Sequence, residues 1–138
     1  MDLAALKKRL TQRPEIWHSF EGGVELRLAR LTFLDLVRAE DESSRLVMVE
    51  GRPQKILDEA KRMEILLRAV CDWKGVTLAD LGDETPEASG AAPFDPELCL
   101  HFLAERPQLL GRVLAKFSQM AAERARAVSD EKKASQSI

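Results

Sequence analysis

Leu3, Leu6 and Leu10 recur at spacings of three and four with Lys7, Lys8 and Arg9 between them, which predicts a short amphipathic helix over residues 2–11, ended by Pro14. The texture then changes. Ile16-Trp17-His18-Ser19-Phe20 is followed by Glu21-Gly22-Gly23 and by Val24-Glu25-Leu26-Arg27-Leu28-Ala29-Arg30-Leu31, whose strict alternation predicts a β-hairpin near residues 16–31. An isolated hairpin is marginal in water, so its apolar face must rest on helices or on a strand of another chain, and its edge is a candidate docking site.

Thr32 with Asp35 resembles a capping pair, and Phe33, Leu34, Leu36 and Val37 supply helical spacing after it. The run Leu46-Val47-Met48-Val49 has no decisive period and leans helical. Beyond Gly51 and Pro53, the positions Ile56, Ala60, Met63, Leu67 and Val70 alternate spacings of four and three, flanked by Leu57 and Leu66. This predicts the chain's strongest helix, running to Trp73 and Lys74 and stopped by Gly75, with its stripe in the core. Residues 77–97 contain Asp80, Asp83, Glu84, Glu87, Asp95 and Glu97 and no base, among Gly82, Pro86, Gly90, Pro93 and Pro96, which predicts an acidic, exposed loop. Asp95 and Pro96 then cap and start a helix with Leu98, Cys99, Phe102 and Leu103 on its apolar side, and Pro107 starts another with Leu110, Val113, Leu114, Phe117 and Met120.

The pattern predicts a mainly α protein, a single small helical domain over residues 1–128 with one hairpin, α+β at the margin. From Ser129 to Ile138 the residues are small and polar, which predicts a frayed, disordered tail. The length of 138 residues, 45% hydrophobic and 32% charged, fits one folding unit with a real core. No apolar run approaches the roughly 18 residues of a membrane span, and the start lacks the pattern of a secretory signal, so a cytoplasmic location is expected. The 21 basic and 23 acidic residues leave a charge of −2, without the positive field that backbone binding to nucleic acid needs.

Catalytic chemistry finds no foothold in the pattern. A nucleophilic site needs a base, and His18 and His101 stand outside any recognisable motif. Cys71, Cys99, His18 and His101 match a four-ligand zinc count but lack paired spacing, and the thiols read better as packed hydrophobes, reduced in the cytoplasm. The acidic loop lacks the ligand alternation of a calcium site, and Gly22-Gly23 lacks the residues of a phosphate cradle. Arg106, Arg112, Lys116, Arg124 and Arg126 bias the last helix positive, but Glu105 and Glu123 interrupt them, as in a solvated face. Trp17 and Trp73 suit either an interface anchor or a lid on the core. No enzyme, cofactor, metal, membrane or small-molecule substrate is expected.

The order of features carries more. A strand from Val24 to Leu31 runs into a Thr-started helix, a long helix ends Val70-Cys71-Asp72-Trp73-Lys74-Gly75-Val76, an acidic loop leads to Pro93-Phe94-Asp95-Pro96-Glu97-Leu98, and a closing helix follows Pro107. Over residues 24–118 this arrangement resembles the phage tail assembly chaperones. The resemblance implies a chaperone in the bacterial host cytoplasm that coats the hydrophobic tape-measure protein, from a phage, prophage or domesticated tail-like particle, and releases it as tail tube protein arrives. Trp73, Phe94, Leu98 and Phe102, where helix ends and a mobile loop meet, are expected on a client-binding or self-association surface, with capping of the protein's own core as the alternative. The rival functions are a small adaptor or regulatory protein of mobile-element origin and, less favoured by the charge, a nucleic-acid binder.

Overall fold

In the computed structural model, residues 2–136 are described. Their elements run in the order α1 (Leu3–Thr11), β1 (Glu15–Ser19), β2 (Glu25–Ala29), α2 (Phe33–Glu42), β3 (Ser44–Val49), β4 (Arg52–Leu57), α3 (Glu59–Leu67), β5 (Val70–Lys74), α4 (Pro96–Ala104) and α5 (Pro107–Gln136). Five strands in two antiparallel sheets make this an α+β fold, which corrects the expectation of a mainly α protein with one hairpin.

The first sheet has the order β1-β2-β5. Its β1–β2 half is the expected hairpin, with Ile16 opposite Leu28 and His18 opposite Leu26. Period-two alternation puts Leu26 and Leu28 on one face, where both are fully buried. β5 joins on the other side of β2, with Trp73 opposite Leu26 and Val70 opposite Leu28. Arg27 pairs with Asp72, so Cys71 is the extra residue of a β-bulge. Against this face pack α4 and α5, which bring Phe102, Leu103, Val113 and Phe117, all buried. Burying each of these large side chains contributes roughly 1.5–3 kcal/mol, so this sheet-on-helix layer is the main source of stability.

The long helix expected from Ile56 to Lys74 is strand, helix and strand. β4 ends at Leu57, Asp58 caps α3 by accepting the Lys61 N–H at 3.2 Å, and the chain re-extends at Val70. The stripe is part coincidence, because Ile56 and Ala60 are exposed while Leu66, Leu67 and Val70 are buried. Leu46-Val47-Met48-Val49 is likewise strand. It pairs in full register with β4 around a two-residue turn in which Glu50 (φ 52°) and Gly51 (φ 77°) both adopt positive φ, the geometry of a type I′ turn. This second hairpin rises between α2 and α3, with the Asp58 N–H donating to the Ser43 carbonyl at 2.8 Å across its base.

Other local expectations match the structure. Thr32 and Asp35 form a reciprocal capping box at the start of α2, and Asp95 accepts from the N–H groups of Glu97 and Leu98 ahead of Pro96. The acidic segment exposes most of its carboxylates, yet Val76, Ala88 and Ala92 are buried and Thr77 bridges to Ala91. It is therefore folded back on the core, not a free loop. α5 continues through the residues where a tail is expected, with every residue from 123 to 133 exposed, while Ser137 and Ile138 lie outside the described residues.

Candidate interaction surfaces

Trp73, Phe94, Leu98 and Phe102 come together where β5 meets the start of α4. The Trp73 ring makes edge contacts with Phe94 (centroids 5.4 Å apart) and Phe102 (5.8 Å), and its Nε1–H donates to the Ala92 carbonyl at 2.8 Å. Trp73 and Phe102 are buried, whereas Phe94 and Leu98 are half-buried against the same cluster. Every polar atom and most of the apolar surface of the Trp73 indole is thus used within the chain.

An open cleft of about 650 Å³ lies between the Glu21–Gly23 turn, Gly75 and the start of α5. Its cations are committed. Arg112 pairs with Glu21, and Arg106 donates to the carbonyls of Phe102 and Asp80, both at 3.0 Å, with its guanidinium 3.9 Å from the Phe102 ring centroid. The Arg106 bonds tie the acidic segment to the α4–α5 corner, and both arginines that line the cleft among the described residues are paired.

Neither cysteine is primed as a thiolate. Burial pushes the Cys99 thiol up to about 12, and burial followed by the neighbouring Glu15 raises Cys71, so both are thiols at neutral pH. Among the described residues no group of three or more His, Cys, Asp or Glu side chains converges on one point. Cys71 is on β5, His18 on β1, and Cys99 and His101 on α4.

His18 faces α5 from β1, and its buried Nε2 has no hydrogen-bond partner. Desolvation lowers its pKa below 6.5, the Lys116 charge lowers it further, and Glu123 opposes both. The unfolded chain therefore binds the proton more readily than the folded one, so stability is complete above pH 6.5 and is lost as the pH falls from there toward the folded value. A melting series between about pH 7.5 and 5.5 should show this decline, and His18→Gln should flatten it relative to the parent. Parallel declines in the two proteins would remove His18 as the cause.

Unburied apolar surface is concentrated elsewhere. Phe33, Leu34 and Val37 lie exposed on α2, and Leu46 (76% exposed), Met48 (66%), Val49 and Ile56 on the β3–β4 hairpin. Beside them α2, α3 and α5 enclose a groove of about 290 Å³ lined by Phe33, Leu36, Val37, Leu66 and Leu114. Single exposed apolar residues are ordinary, but several on adjoining elements mark a place where another surface rests. The sequence missed this surface because the helical period around residues 56–70 masked the hairpin. The available signal was weaker, an apolar run of strand length ending at Val49 and the Glu50-Gly51 punctuation that separates it from Arg52–Leu57. Also exposed are Leu3 and Leu10 of α1, a helix without a buried residue.

Among the described residues no helix is long and apolar enough to cross a membrane. Comparison of the chain with family models, curated proteins and solved structures finds no match.

Proposed function

We propose that this protein is a non-enzymatic phage or prophage tail assembly chaperone, working in the bacterial host cytoplasm, that binds the tape-measure protein during tail morphogenesis. The observation that carries the reading is the exposed apolar surface of α2 and the β3–β4 hairpin, which lies outside the packed sheet-and-helix core. A chaperone for a long amphipathic client needs such a surface, because the client's apolar stripe gains burial only against another apolar face. It also needs a rigid support so that little ordering entropy is lost on binding. The short motifs that resemble the tail chaperones, Trp73-Lys74-Gly75-Val76 and Pro93-Phe94-Asp95-Pro96-Glu97, support the same client, although the first ends a strand and not the expected helix. Client contact is assigned to Phe33, Leu34, Val37, Leu46 and Met48. Trp73 and Phe102 support the fold behind it.

Co-expression with a candidate tape-measure protein from the same genome is the direct test. The client should become soluble and co-purify with this chain, and the paired change Leu34→Asp with Met48→Asp should abolish capture. Because both positions are exposed, melting of the free variant should stay within about 1 kcal/mol of the parent. A client that stays insoluble and unbound beside the parent chain would sink the proposal.

A further inference from the structure

We infer that β3 is a self-pairing edge, through which two copies of this chain join into a four-stranded antiparallel sheet of order β4-β3-β3-β4 about a two-fold axis. The hydrogen-bond register of the hairpin points to it. Val49 opposite Arg52 closes a two-residue turn, which makes that pair hydrogen-bonded and, by alternation, Val47–Gln54 and Arg45–Ile56 as well. The N–H and C=O groups of Ser44, Leu46 and Met48 then point away from β4. None of them has a backbone partner among the described residues.

The opposite margin of the hairpin is closed to pairing. Pro53 and Lys55 occupy the outward positions of β4, where proline has no N–H to donate and lysine keeps a charge at the edge. A sheet that can grow on one side only is complete after two copies, which is the isologous contact of a closed dimer and not the start of a filament.

The chemistry of β3 suits a second β3. In an antiparallel register centred on Leu46, that residue meets the partner's Leu46, with Met48 on the diagonal, so the exposed apolar side chains of the two hairpins join into one continuous apolar face that a client can still reach. Arg45, the single charge of the strand, falls opposite the partner's Val47, and the two Arg45 residues meet only on the diagonal, where exposed guanidinium groups can turn away into solvent. Six residues from each copy fall short of the roughly 20–30 residues a side of a stable interface, so the dimer is reversible and depends on concentration.

Sedimentation of the full chain from about 10 µM to about 1 mM should show the average mass rising from 15.5 kDa towards twice that value. Leu46→Pro removes one outward N–H without touching the ladder to β4, and should hold the mass at that of the monomer. In a Cys71→Ser background, Leu46→Cys should give a dimer with a short thiol cross-linker. Leu10→Cys, 71% exposed in the parent, should not. A mass that stays monomeric throughout, or dimers unaffected by Leu46→Pro and cross-linked equally well from position 10, would overturn the inference. So would β3 amides that become protected from exchange only when the tape-measure protein is bound, which would give the edge to the client.

Discussion

Gly75→Ala should cost this protein about 4 kcal/mol or more, a large part of the roughly 5–15 kcal/mol that holds a domain folded. Gly75 has φ +79°, a region where an L side chain is strained by about 1–3 kcal/mol. The added Cβ would also clash with the Gly23 carbonyl oxygen and stand 3.0 Å from its carbon. That neighbour is backbone, fixed because Phe20 N–H donates to the Val24 carbonyl at 2.8 Å one residue on, so relief requires the start of β2 to move. Gly22 provides the internal control, since it shares a positive φ (74°) with open space around the missing Cβ. Gly22→Ala should lose only the conformational part, about 1–2 kcal/mol. Thermal melting of both variants reads the difference, at roughly 3 °C per kcal/mol for a chain of this size. Equal losses would mean that the crossing of the Glu21–Gly23 turn over Gly75 is looser than described.

Trp73→Ala should be comparably damaging, at about 3–5 kcal/mol, because it leaves a cavity between β5 and α4 and strands the Ala92 carbonyl. Trp73→Phe separates the two effects. It keeps much of the apolar volume and the contact with Phe94 and Phe102, so its smaller loss, about 1–3 kcal/mol, reports the missing N–H donor and the residual void. Denaturant titration measures both, with an unchanged slope showing that the native compactness survives. The same variants discriminate between roles for the cluster of Trp73, Phe94, Leu98 and Phe102. A Trp73→Ala protein that melts like the parent and fails to hold its client would make Trp73 a contact residue. One that melts early makes it a core residue, as its burial requires.

The elements that could be read from the sequence are those whose signals are local. Thr32 and Asp35, Asp95 and Pro96, and the alternation from Val24 to Leu31 each complete their hydrogen bonds or their buried face within a few residues, and all form as expected. The misread region fails for a physical reason. Between Ile56 and Val70, apolar residues from two strand ends fall by chance on the register of the short helix between them. Only the cap at Asp58 and the turn at Arg68 and Ala69 break the pattern. Position 50 compounds the error, since Glu is a poor residue for positive φ and hides a turn that asparagine or aspartate would advertise. Trp73, Phe94, Leu98 and Phe102, singled out together in the sequence, do come together in space. Their depth was not legible, because that depends on β5 lying beside β2, a pairing across more than forty positions.

The thirty residues of α5 extend about 45 Å. Val113 to Ala121 anchor that rod to the body, and beyond them it has only its own hydrogen bonds to keep it wound. A peptide of that remaining length is near the limit at which helix and coil balance in water. Warming should therefore unwind the far end first, in a gradual step that leaves the body intact, and any surface that shelters the arm would raise the temperature of that step alone.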